Sequence, residues 1–138
     1  MHKRKTFVDS CVLISAWRGS GGSEAGFQVA MEAITDPDRE YVISDFLRLE
    51  LLVQPTYHQN DDEVEFMNTF FNAATEEVKS SARLVERAFS LACSYGLKPF
   101  DALLATAAIE SKVEEFITFE KRSKPFNKIT ELNVTSLH

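Results

Sequence analysis

A chain of 138 residues, 44% hydrophobic and 11% aromatic, is long enough for a real core and too apolar for disorder, and we expect a single domain over residues 1–138. Its net charge of −6 argues against a generally basic nucleic-acid binder, although acids clustered in one site can be offset by metal ions. The two cysteines, Cys11 and Cys93, show no pairing pattern and no CxxC, which points to free thiols in a reducing compartment and gives a zinc site no support.

The basic start, residues 1–5, imitates the beginning of a signal peptide. Asp9 interrupts the apolar run that follows, and a central Asp opposes membrane insertion by about 3 kcal/mol. No signal, no membrane span and a cytoplasmic protein are therefore expected. Residues 5–9 form a strand candidate, followed at once by a helix over 10–17 capped by Asp9 or Ser10. Residues 19–23, Gly-Ser-Gly-Gly-Ser, are a flexible break too short for a domain linker. Phe27, Ala30, Met31 and Ile34 mark a helix over 24–35, which Asp36-Pro37-Asp38 stops. A second strand spans 41–44. Ser44 or Asp45 then caps a helix to about Gln54, before Pro55.

A helix over about 62–75 carries Val64, Met67, Phe70 and Phe71, and residues 76–80 can hold a short strand. Residues 81–95 predict an amphipathic helix with Val85, Ala88, Phe89, Ala92 and Tyr95 on one stripe. Gly96 can end it, and Pro99 suits the first turn of the next helix. That helix reaches about Ser111 or Lys112. It is small or apolar almost all round from Ala102 to Ile109, so it should lie deep in the core. A strand over 115–118, a basic loop and a last strand over 130–134 complete the chain.

Strands alternating with helices predict α/β architecture with a mostly parallel sheet, whose ligand site lies beyond the carboxyl ends of the strands. Asp9 ends the first strand, Glu120 lies just past the strand ending at Thr118, and Asp101 opens the buried helix. Each has an ordinary alternative role: Asp9 as an N-cap, Asp101 as a first-turn acid favoured by the helix dipole, Glu120 as a solvated loop acid. Glu50 is flanked on its helix by Phe46, Leu47 and Val53, while Arg48 points about 200° away. It is either half-exposed at the margin of the stripe or in need of a distant partner or a bound cation. Several carboxylates converging at one point suit hard divalent cations, and such a site suits phosphodiester hydrolysis.

Phe7-Val8-Asp9-Ser10, Ile43-Ser44 followed by Glu50, Lys98-Pro99-Phe100-Asp101-Ala102-Leu103-Leu104-Ala105, and Ile117-Thr118-Phe119-Glu120 together resemble the PIN domain. Their spacing resembles that of the small single-domain nucleases of VapC type, the toxin half of toxin–antitoxin pairs. The resemblance covers almost the whole chain. It implies a PIN-like, Rossmann-like α/β/α sandwich with a central mostly parallel sheet, and an Mg²⁺- or Mn²⁺-dependent ribonuclease. By match, Asp9, Glu50 and Asp101 take the places of the three core metal-site acids and Glu120 that of the fourth. Ser10 matches the small hydroxyl residue beside the first acid and Thr118 the family hydroxyl. Three positions depart from the pattern: Cys11 stands where Asn is common, Glu120 where Asp is usual, and Arg122 where a further acid often follows.

The resemblance also implies RNA as substrate, an antitoxin protein as partner and a homodimer. The apolar content of residues 62–71 could serve either protein contact, although the sequence alone favours the core. Lys121, Arg122 and Lys124, with Lys128 behind them, read either as an RNA-binding rim that positions phosphates or as a solvated loop. Lys79, Arg83 and Arg87 read as a solvated face, and the scattered His2, His58 and His138 have no catalytic assignment. No Ser/His/Asp arrangement, Walker loop or dinucleotide fingerprint is present. Two alternatives stand beside the nuclease: a catalytically weak PIN-like nucleic-acid-binding or scaffold module, raised by Glu120 and Arg122, and a phosphate-ester-processing or receiver-like α/β domain.

Overall fold

The structure, a computed structural model, describes residues 2–19 and 24–138, without the side chains of Glu24 and Ala25. The expected break over residues 19–23 lies, apart from Gly19, outside the described residues. In chain order the elements are β1 (Arg4–Val8), α1 (Ser10–Arg18), α2 (Glu24–Ile34), β2 (Arg39–Ser44), α3 (Asp45–Tyr57), α4 (Asp61–Ala73), β3 (Glu76–Val78), α5 (Ala82–Tyr95), α6 (Pro99–Glu110), β4 (Glu115–Thr118), a short 3-10 helix (Pro125–Lys128) and β5 (Val134–Ser136). Local chemistry sets most of these boundaries. The Ser44 hydroxyl accepts from the Leu47 N–H at 3.1 Å to start α3, and Ser81 accepts from Leu84 at 3.0 Å to start α5. Gly96, with φ of 72°, ends α5 in the left-handed region that glycine adopts without strain.

The strands form one sheet in the order β3-β2-β1-β4-β5, and every pairing is parallel. Helices flank it to give the expected α/β/α sandwich. Chain direction across the sheet reverses once: β2 and β3 are laid down on one side of β1, then β4 and β5 on the other. The carboxyl ends of β1 and β4 therefore flank the switch point, where ligands bind in open α/β sheets. Their register pairs Val8 with Ile117, and the Asp9 N–H donates to the Ile117 carbonyl at 2.9 Å. Asp9 and Thr118 thus leave the sheet side by side.

The amino ends of the same strands are tied by charge. Buried Glu115 accepts from the Thr6 hydroxyl at 2.9 Å and from Arg39 Nε at 2.7 Å, and lies 3.4 Å from Arg4 Nε. One carboxylate so joins β4, β1 and β2. In the core, Phe7 stacks on Phe116 at 5.6 Å between ring centroids, and Phe116 stacks on Phe126 at 4.7 Å. The second contact seats the 3-10 helix against β4. Ala102, Leu104, Ala105, Thr106, Ala107 and Ala108 of α6 are all buried, as its nearly uniform apolar surface predicts.

Three expectations differ from the fold. Helix α3 runs through Pro55 to Tyr57 instead of stopping at Gln54. Pro55 lies in the last turn, where little of the hydrogen-bond ladder remains to be broken, and its ring is buried. Helix α5 buries Leu84, Ala88 and Leu91, while Val85 and Phe89 of the expected stripe are 50% and 71% exposed. Both faces carry apolar residues at helical spacing; the Leu84 face joins the core, while Val85 and Phe89 line an open groove beside α6. The last strand starts at Val134, not Thr130. Ile129 and Leu132 are buried as a plug before it, and Asn133 pins the turn by donating through Nδ2 to the Glu114 carbonyl at 3.1 Å. On α4, Met67, Phe70 and Phe71 are buried in the core, so they are not free to meet a partner.

Replacing Glu115 tests the tie at the amino ends. Glu115→Ala leaves Arg39 without its closest partner and should cost about 2–3 kcal/mol, near the lower limit for breaking a buried pair. Glu115→Gln retains an acceptor and should cost less. Urea unfolding measures both, and a Glu115→Ala loss within about 0.5 kcal/mol of zero, the range of an ordinary surface change, would show that the tie does not hold the sheet.

Candidate active site

Asp9 stands at the junction of β1 and α1, and it both caps the helix and faces the switch point. Its Oδ1 accepts the Ser10 N–H at 2.8 Å, with the Ser10 hydroxyl at 3.5 Å. Its Oδ2 accepts the Thr118 hydroxyl at 2.8 Å and the Cys11 thiol at 3.4 Å. Thr118 in turn accepts the Glu120 N–H at 3.0 Å, and Cys11 Sγ accepts the Phe119 N–H at 3.4 Å. The N-cap and site readings of Asp9 are therefore compatible: one oxygen serves the helix start and the other is held by β4. Burial raises the Asp9 pKa, the Thr118 and Cys11 hydrogen bonds oppose the rise, and the charge of Glu50 adds to it.

Asp101 lies half-buried in the first turn of α6. Loss of water, the charge of Asp9 and the charge of Glu120 push its pKa up to about 6, against a smaller opposing effect of Lys98. Glu50, on α3, is exposed as a residue, as are its helix neighbours Leu49 and Val53 at 53% and 48%. Its carboxyl is nonetheless partly shielded from water. That desolvation raises its pKa, the Ser10 hydroxyl favours its charged form, and Asp101 repels it. The expected absence of a cation beside Glu50 on α3 has a visible cause. Arg48 turns to Glu77, at 3.0 and 3.1 Å, and lies over the Phe71 ring at 4.8 Å. Glu120 is half-buried beside Asp101, and the two line a common cavity of about 180 Å³.

The four acids thus share one electrostatic neighbourhood at the carboxyl edge of the sheet: Asp9 senses Glu50, and Asp101 senses Asp9 and Glu120. Among the described residues, no three of them stand close enough together to chelate an ion directly. The basic loop divides. Lys124 lines the cavity of Asp101 and Glu120, whereas Arg122 lines a separate groove with Asn127 and residues of β5. Lys121 is exposed.

Sequence reasoning missed two side chains here. Cys11 reads from sequence as a free thiol and a departure from Asn, yet it donates to Asp9 as a polar residue would. Lys98 carries no role in the motif reading around Asp101, and its position directly before Pro-Phe-Asp is the available signal.

A PIN domain family model matches residues 6–132. Three solved structures share the fold. VapBC2 from Rickettsia felis, bound to a DNA fragment from its promoter, is 14% identical with a TM-score of 0.69, covering 96% of this chain and 98% of that one. A toxin–antitoxin complex from Klebsiella pneumoniae is 21% identical with a TM-score of 0.72, covering 95% and 96%. DNA-bound VapBC from Salmonella typhimurium is 12% identical with a TM-score of 0.69, covering 99% and 98%. No curated protein matches the sequence significantly.

Two outcomes follow from the charges at the site. A carboxylate whose pKa is raised by folding stabilises the fold when protonated and loses that contribution as pH rises from 3.8 through about 6. Without added metal, Asp101→Asn should therefore be more stable than wild type at neutral pH, on the order of 1 kcal/mol after solvent screening. The difference should shrink as pH falls through that window. Thermal melts across the range decide it: a pH-independent difference would mean that Asp101 is not the strained charge. The thiols give a second outcome. Burial and Asp9 push the Cys11 thiol up to about 12, whereas Cys93 is exposed. Near neutral pH one thiol should react quickly with a thiol reagent and the other only on unfolding; mass spectrometry showing fast labelling of Cys11 would contradict the site's geometry.

Proposed function

The chain belongs to the PIN domain family, and from that premise we propose that it is a metal-dependent endoribonuclease of the VapC kind, hydrolysing RNA phosphodiester bonds as the toxin of a toxin–antitoxin pair. PIN domains are generally nucleases that use divalent metal ions, and the solved structures with this fold include VapBC and toxin–antitoxin complexes. One observation of this chain carries the reading. Asp9, Glu50, Asp101 and Glu120 each lie within electrostatic reach of at least one other near the switch point, and no salt bridge among the described residues neutralises any of them.

That donor set fits a hard divalent cation. It is all carboxylate oxygen, it is partly desolvated, and its excess negative charge is offset only in part by Lys98, with no salt bridge among the described residues. Mg²⁺ and Mn²⁺ are commonly held through one or two carboxylates and retained waters, so direct chelation by three acids is not required. We assign Asp9, Glu50 and Asp101 to holding the ion, with Glu120 at the edge. When bound, such an ion activates water and stabilises charge on the oxygens of the scissile phosphate.

The protein's own groups prepare the site. Thr118 and Cys11 hold Asp9 Oδ2 and keep this carboxylate in one orientation. Ser10 stands between Asp9 and Glu50 and favours the charged form of both. Lys121, Arg122 and Lys124 supply positive charge for the RNA backbone. An antitoxin and a second copy of the chain are the proposed protein partners. Apolar surface for such contacts is provided by Leu49 and Val53 on α3 and by Val85 and Phe89 on α5. We place the protein in the cytoplasm; no helix among the described residues is long and apolar enough to cross a membrane.

Cleavage of RNA by the purified protein tests the proposal. Activity should appear with Mg²⁺ or Mn²⁺, vanish with EDTA, and fall roughly a hundredfold or more in Asp9→Asn and in Asp101→Asn. It should rise as pH passes through about 6, where Asp101 becomes free to bind metal. RNA binding without cleavage under either ion would favour the scaffold reading. Full activity in Asp101→Asn would assign the chemistry to other residues.

A further inference from the structure

We infer that the cavity between the α5–α6 turn and the segment after β4 is a subsite for a single nucleotide of an RNA strand, adjacent to the bond that is cut. This rests on the nuclease reading above. Leu97 and Lys98 form one wall and Lys124 and Pro125 the other, with the carboxylates of Asp101 and Glu120 lining the same space. The walls are far apart in sequence. Stacking of Phe126 on Phe116 holds the second wall against β4, while α6 carries the first.

Size selects the ligand. The cavity is about 180 Å³, below the roughly 300–1,000 Å³ of pockets that enclose a whole drug-sized molecule. It suits one nucleoside unit, and a duplex cannot offer that unit without unstacking it. The charges select a phosphate. Lys5, Lys79, Arg4, Arg39, Arg48 and Arg87 are each spent in ion pairs within the protein. Lys98 and Lys124 are exposed, and among the described residues neither has a salt-bridge partner, in a chain of net charge −6. Lys98 occupies the N-cap position of α6 and makes no side-chain capping bond; its charge offsets Asp101 in part without forming a salt bridge.

One ammonium on each wall can engage the phosphate that flanks the scissile one, leaving Asp101 and Glu120 free for a cation. Leu97 and Pro125 give the sugar and base apolar contact but no hydrogen-bonding edge. The subsite therefore positions the strand without reading its sequence.

The test is binding of a short fluorescein-labelled single-stranded RNA in EDTA, followed by anisotropy over a range of salt. Lys98→Ala with Lys124→Ala should weaken binding roughly tenfold at low salt and reduce the slope of log K against log[salt] by about 1.4, at about 0.7 per lost contact to a single strand. Lys98→Arg with Lys124→Arg should restore both. Lys3→Ala, an exposed lysine at the amino end of β1, should change neither. A nucleoside monophosphate should compete with the RNA better than inorganic phosphate does; equal competition would reduce the cavity to a simple anion site and overturn the nucleotide assignment. An unchanged salt slope in the double alanine variant would overturn the subsite even if the wild type cleaves RNA. Conversely, the expected binding results in a protein that cleaves nothing with Mg²⁺ or Mn²⁺ would sink the nuclease reading and leave the nucleotide site standing.

Discussion

Asp9 carries a carboxylate into the interior, and the pairing of β1 with β4 makes this tolerable. A buried carboxylate without donors costs several kcal/mol. Here the Thr118 hydroxyl and the Cys11 thiol reach one oxygen, and the start of α1 supplies the other. Slipping β4 by one residue would turn Thr118 away and present an apolar neighbour, Ile117 or Phe119, in its place. The carboxylate and the strand register therefore depend on each other. Glu115 at the amino end and the Phe7–Phe116–Phe126 stack in the middle hold the same alignment from elsewhere along the strand.

Along β1 and β4 the charges differ by end, while on β3 Glu77 pairs with Arg48 and Lys79. Arg4, Arg39, Glu76 and Glu115 open their strands, and each is ion-paired there. At the carboxyl end Asp9 and Glu120 follow their strands and Asp101 joins them from α6, with no ion pair among the described residues. Parallel pairing makes this separation possible, because every strand presents the same polarity to the same edge. The ion pairs contribute stability; the unpaired acids store repulsion that Lys98 offsets only in part and that a proton or a bound cation would relieve. A fold that sits a few kcal/mol above unfolding can carry such a site when the rest of the sheet is well tied.

Burial and exposure around the site follow from packing between distant segments. Glu50 looks, on its own helix, like a carboxylate on an apolar flank, but Leu49 and Val53 beside it are themselves exposed. Its relation to Asp101 and Ser10 arises because α3 packs against both α1 and α6. Likewise α5 has two apolar faces, and only tertiary packing decides that Leu84 goes inward and Phe89 outward.

What the sequence determined by itself is what nearest neighbours along the chain decide. Serine and glycine caps mark helix ends, proline opens α6, and an apolar strand ending in an acid marks β1. The unbroken small-residue surface of α6 demands burial, and the strand–helix alternation prescribes a parallel sheet with its acids at one edge. These are short-range effects of backbone geometry and hydrophobic period. Only the tertiary structure decided which acids sense one another, that Cys11 serves as a hydrogen-bond donor to Asp9, that Lys98 and Lys124 share a cavity while Arg122 does not, and that the last strand begins at Val134 after Ile129 and Leu132 are buried. Each of these depends on contacts between residues far apart in the chain, and neither local propensity nor periodicity carries information about them.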